Sequence, residues 1–106
     1  MSENGLASRG DGAFDISGRL TFDTVPRFQD QAGGLLQGNA QPVTIDMQGV
    51  TQADSAGLAL MIEWLQMARA AKRKLVFANI PEQMIDLIRV NGLQRMFGLE
   101  NGQNNK

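Results

Sequence analysis

Residues 42–80 carry the pattern that most restricts the fold. "PVTIDM" at 42–47 places Val43, Ile45 and Met47 on one side of a short buried strand. "QGVTQADS" reads as a polar loop. A long helical pattern then runs from Ser55 or Ala56 to about Lys72. "KLVFANI" at 74–80 is a second strand, and Pro81 ends it. Strand, helix and strand in that succession predict a right-handed crossover between parallel strands.

The flanking segments extend this unit. "LASRGDGAFDISGRL" reads as two strands around a Gly-Asp-Gly turn. In the second, Ala13 to Leu20, Phe14, Ile16 and Leu20 alternate with Asp15, Ser17 and Arg19. Gly18 interrupts that strand and marks a bulge or a close approach. "FDTVPRFQDQAGGLLQG" reads as a helix capped by Asp23 or Thr24, with Pro26 in its first turn. Val25, Phe28, Ala32, Leu35 and Leu36 share its apolar face, Gly33 and Gly34 weaken it, and Gly38 can end it. Pro81 opens a third helix with Met84, Leu87, Ile88 and Leu93 inward and Gly92 as its stop. "LQRMFGL" forms a last helical turn. The order is β-β-α-β-α-β-α: an α/β domain over 6–99, built on a small mixed sheet with helices packed on it. Residues 1–5 are expected to be flexible, and the polar tail 100–106 to be disordered.

Composition removes several function classes. The 106 residues suit one domain. With no cysteine and no histidine, the chain alone builds neither a thiolate metal site nor a Ser-His-Asp triad. No metal or cofactor site is expected, and no GxxxxGK[ST] phosphate loop is present. Net charge is −1, without the basic face that nucleic acid requires. The charge is uneven, however: residues 1–54 hold three arginines against seven acids, and residues 55–106 hold seven basic residues against four acids. The "KRK" cluster at 72–74, with Arg69, falls at a helix C-terminus and complements its dipole. The N-terminus has no apolar signal region, and no apolar run is long enough to span a membrane, which sets the expectation of a cytoplasmic chain.

The helix over 56–72 has more apolar surface than one sheet face needs. At about 100° per residue, Leu58, Met61, Ile62 and Leu65 form an ordinary core stripe. Leu60, Trp64, Met67 and Ala71 form a second stripe, leaving only the sector of Glu63, Gln66 and Arg69 polar. Either other elements of the domain bury the second stripe, or Leu60, Trp64 and Met67 dock a partner protein.

Ser55, in "ADSAGLAL", admits three readings. A serine oxygen is a favoured N-cap. A phosphorylated serine at a helix N-terminus would meet free N–H groups and the positive end of the dipole. Nucleophilic catalysis is rejected, because no histidine is present and Asp54, adjacent in sequence, is badly placed as a base.

The stretch from "PVTIDM" through "ADSAGLALM" to "PEQMIDLIRVNGL", with "FDISGRLTFDTVPRF" before it, resembles a STAS domain (sulfate transporter and anti-sigma-factor antagonist). The resemblance covers roughly residues 6–97, and Asp54-Ser55-Ala56-Gly57-Leu58 is its most specific part. Within the family the chain is most similar to the cytoplasmic STAS subunit of the Mla phospholipid ABC transporter of Gram-negative bacteria. That resemblance implies no enzyme activity. It implies docking onto an ABC ATPase subunit (MlaF-like) that works with a permease (MlaE) and a lipid-binding ring (MlaD). It also implies a location on the cytoplasmic face of the inner membrane without insertion into it, and no lipid pocket in this chain. The expected interface comprises Thr51 and Gln52 at the rim, Asp54, Ser55, Ala56 and Gly57 at the helix start, and Leu60, Trp64 and Met67 as its apolar part. An anti-sigma-factor antagonist switched by phosphorylation of Ser55 is the alternative. A detached sulfate-transporter STAS domain is a third.

Overall fold

The computed structural model describes residues 5–39 and 41–99. Its four strands are β1 (Gly5–Gly10), β2 (Ala13–Leu20), β3 (Val43–Ala53) and β4 (Leu75–Ala78), and its three helices are α1 (Val25–Gln31), α2 (Ser55–Ala70) and α3 (Glu82–Val90). The order is the expected β-β-α-β-α-β-α. β1 and β2 form an antiparallel hairpin at one side, β2–β3 and β3–β4 are parallel, and the sheet runs β1-β2-β3-β4. The two helical crossovers therefore produce the parallel part of a mixed sheet.

Period-two alternation sets the two faces. Ile16 and Leu20 of β2, Val43, Ile45 and Met47 of β3, and Leu75 of β4 are buried. Phe28 of α1, Leu58 and Met61 of α2, and Met84 and Ile88 of α3 join them in one core. Gly18 has φ of 89°, and the β2–β3 register shifts between Gly18 and Arg19, so the bulge expected there is present.

Several expected boundaries move. α1 ends at Gln31 and continues as a 3-10 turn over Ala32–Gly34, because Gly33 and Gly34 do not sustain the α-helix. Gly5 belongs to β1 rather than to a loose end. Residues 1–4 and the tail from 100 lie outside the described residues. "LQRMFGL" forms hydrogen-bonded turns, with Leu99 N–H donating to the Gln94 carbonyl at 2.7 Å, but no helix. The largest change is in β3. Its outer half, read as a loop, is strand as far as Ala53, pairing Gly49 with Ser17 and Ala53 with Leu20.

Candidate functional site

The C-terminal ends of β2 and β3 converge on the start of α2, and Asp54 is the centre of that junction. Its backbone is extended (φ −138°, ψ −171°), and its side chain caps the helix. Oδ1 accepts the Ala56 N–H at 2.9 Å and the Gly57 N–H at 3.3 Å. Oδ2 accepts the Phe22 N–H at 3.1 Å, and the Asp54 N–H donates to the Leu20 carbonyl at 3.3 Å. One carboxylate thus ties the loop after β2 to the first turn of α2.

This geometry corrects the reading of Ser55 as the cap. Ser55 is the first residue of the helix, and its side chain is exposed. Asp54 displaces it because a carboxylate has two oxygens, one for the helix and one for the neighbouring loop. The first-turn N–H groups of Ala56 and Gly57 that a phosphate was expected to meet already donate to Asp54.

Gly57 is buried, and a Cβ there would lie 2.4 Å from the Leu20 carbonyl oxygen. It is therefore a packing residue that lets α2 approach β2, and it is not available as a partner contact. Ala56 is half-buried beside it.

The apolar part of the expected interface is also corrected. Leu60 and Trp64 are each 1% exposed and belong to the same core as Phe28, Ala32 and Leu35. α1 and the turn after it lie over this side of α2, and Gln29 donates to the Glu63 carboxylate across the pair at 3.2 Å. Leu60 and Trp64 of the second stripe are buried within their own domain, while Met67, 36% exposed, and Ala71 at its far end face outward. Met67 lies twelve residues from Ser55, about 18 Å along the helix axis, so the two do not share one compact patch.

Thr51 and Gln52 are exposed, but they stand near the C-terminal end of strand β3 rather than in a loop. The Ala53 N–H donates to Gln83 Oε1 of α3 at 3.1 Å, which fixes the end of the strand. Ala59 is exposed one helical turn beyond Ser55.

Sequence reasoning missed Phe22. It is 77% exposed, in the loop between β2 and α1, held by its own N–H on Asp54. Its neighbours Thr21 and Thr24 are buried: the Thr21 N–H donates to Thr24 Oγ1 at 3.0 Å, and the Thr24 hydroxyl donates to the Arg19 carbonyl at 2.6 Å. The loop is therefore fixed while its aromatic ring faces solvent. The available signal was that Phe22 follows Leu20 by two residues after the strand has ended, so the inward alternation no longer applies.

Among the described residues, no three His, Cys, Asp or Glu side chains converge in a way that could hold a metal ion, and no helix is long and apolar enough to cross a membrane. Around the one engaged carboxylate the junction thus leaves Phe22, Thr51, Gln52, Ser55 and Ala59 exposed.

No curated protein sequence matches the chain. The family model described as "Mlab, STAS domain" matches residues 7–99, which include every strand and helix of the domain apart from the first two residues of β1. STAS domains generally serve as binding or regulatory modules. With the sheet order, the Asp54-Ser55 helix start and this match all in agreement, the chain belongs to the MlaB-type STAS domain family.

Proposed function

We propose that this chain is a non-enzymatic subunit that binds and supports the ATPase of an inner-membrane, Mla-type phospholipid ABC transporter. In that role it works alongside a permease of the MlaE kind and a lipid-binding MlaD ring, on the cytoplasmic face, in maintaining the lipid asymmetry of the outer membrane. The observation that carries the reading is the fixed, exposed Phe22 beside the exposed start of α2, in a chain of the MlaB-type family. An aromatic ring held on an ordered loop loses little conformational freedom on docking, and aromatic residues are enriched in interface cores. The contact surface in this proposal is Phe22, Thr51, Gln52, Ser55 and Ala59. Leu60, Trp64 and Gly57 support it from within the core. A module of this kind acts on the ATPase by linkage, stabilising the conformation it binds, without nucleotide chemistry of its own.

Co-purification from the native host in mild detergent tests the proposal. The expected result is recovery of an ABC ATPase and a permease, and Ser55→Arg and Phe22→Ala should each weaken recovery on the order of tenfold or more. The exposed Ser55 hydroxyl favours one second reading, an anti-sigma-factor antagonist switched by phosphorylation. A phosphate there would lie beside the Asp54 carboxylate, with the N–H groups of Ala56 and Gly57 already engaged. Recovery of a kinase-like anti-sigma factor, with Ser55 phosphorylated, would establish that reading and overturn the first.

A further inference from the structure

The opposite end of α2 carries a second feature that the ATPase-docking reading does not use. A groove of about 480 Å³ opens there, and Arg69, Lys72, Arg73 and Lys74 line it with no carboxylate among the lining residues. Its apolar floor is Leu65, Ala68 and Leu75, with Met96, 44% exposed, at the edge.

The cations are not needed to close the helix. The Ala71 N–H donates to the Met67 and Ala68 carbonyls, the Lys72 N–H to Arg69, and the Arg73 N–H to Ala68 at 2.8 Å. Lys72, with φ of 59°, makes the left-handed turn that allows this backbone closure. Arg73 has a structural role as well: its Nη1 donates to the Leu36 carbonyl at 2.7 Å and the Gly38 carbonyl at 3.2 Å, which fixes one wall of the groove. Among the described residues, no ion pair engages Arg69, Lys72 or Lys74. These like charges, brought within a Debye length of one another, repel, and an anion placed between them relieves that repulsion.

We propose that this groove binds an organic phosphate. The anionic group meets Arg69, Lys72 and Lys74, and the apolar part of the ligand lies on Leu65, Leu75 and Met96. An inorganic anion would use only the cations, and a plain apolar molecule only the floor. The same chemistry is offered by an anionic phospholipid headgroup at a bilayer surface and by a soluble phosphate ester.

The test uses the full chain, isotope-labelled, with amide shifts of residues 68–75 and Met96 followed by NMR. Short-chain phosphatidylglycerol below its micelle concentration should shift these amides saturably, about tenfold or more tighter than inorganic phosphate, because the floor adds apolar burial. Lys72→Glu with Lys74→Glu should weaken binding by about tenfold or more. Both side chains are exposed, so the cooperative fold should be kept, with only a small drop in the unfolding midpoint from the lost complement to the helix dipole. Sedimentation with phosphatidylcholine vesicles, with and without phosphatidylglycerol, separates the sources. Capture by the anionic vesicles assigns the headgroup, and binding of only the soluble lipid and glycerol phosphate assigns a soluble ester. Absence of saturable shifts, equal affinity for inorganic phosphate, or indifference to the double charge reversal would overturn the proposal. Preference for an acidic peptide over every phosphate probe would overturn it too, in favour of a protein partner.

Discussion

The two ends of α2 treat charge in opposite ways. At the N-terminus a single carboxylate, Asp54, accepts three N–H groups from two elements, and a buried glycine lets the helix start against the Leu20 carbonyl. At the C-terminus the backbone bonds the last carbonyls itself, and four cations surround an open groove. Both ends follow the dipole rule in sign, acid first and base last. Only the backbone hydrogen bonds distinguish a charge that holds the fold together from one that faces outward. The N-terminal junction is accordingly expected to be costly to alter, and the exposed C-terminal cations Arg69, Lys72 and Lys74 cheap, whereas Arg73 also holds the Leu36 and Gly38 carbonyls.

The largest test lies between the two ends. Trp64→Ala should lower stability by about 3–5 kcal/mol, the usual cost of emptying a large core site, as measured by denaturant unfolding. Met67→Ala, one turn away and 36% exposed, should cost far less. Equal costs would mean that the domain does not bury the second stripe of α2. Next comes Gly57→Ala. Alanine is the better helix former by about 1 kcal/mol, yet its Cβ would meet backbone at 2.4 Å. A net loss of about 1–3 kcal/mol is expected; a gain in stability would show that the junction is loose.

Neighbouring residues at the N-terminus give a finer comparison. Asp54→Ala removes the cap and leaves the Phe22 N–H without its acceptor, so a loss of about 1–2 kcal/mol is expected. Ser55→Ala touches an exposed side chain and should stay within about 0.5 kcal/mol. Reversal of that order in urea unfolding would return the capping role to Ser55.

Sequence patterning reached the fold because strand and helix periods are local properties. Val43, Ile45 and Met47 announce a strand without help, and Pro81 and Gly92 bracket α3. The outer half of β3 escaped because Gly49, Thr51 and Gln52 carry no apolar alternation, and that half is strand only through its pairing with Ser17 to Leu20. Aspartate and serine are equally good caps by type, and the choice between them was settled by the Phe22 N–H, thirty-two residues away in the chain. The number of apolar stripes on α2 was legible, but not what covers them, because α1 is brought over Leu60 and Trp64 by tertiary packing alone. The sequence placed its candidate site at the start of α2, and the structure changes which side chains are exposed there. Phe22 is exposed beside it, and Leu60, Trp64 and Gly57 are buried.

Asp46 gives the smallest and most selective test of an engaged carboxylate. It lies in the middle of the sheet, beside Asp15 in the β2–β3 register. Its carboxyl is held below the ordinary aspartate range, first by the Gln48 N–H at 2.8 Å and then by Asn79 Nδ2 at 3.1 Å, with the charge of Arg9 a lesser aid and partial desolvation opposing. The folded state therefore favours the ionised form more than the unfolded chain does. The resulting stability is fully present above the unfolded aspartate pKa and is lost as pH falls through the depressed native value. Wild type should exceed Asp46→Asn in stability near neutral pH, and the difference should shrink as the pH drops through that acid window. Added salt should leave most of the difference in place, because its leading causes are short hydrogen bonds rather than the charge of Arg9. A difference that ignored pH but vanished with salt would reverse the order of those causes. It would place Asp46 with the outward-facing charges at the far end of α2 rather than with Asp54.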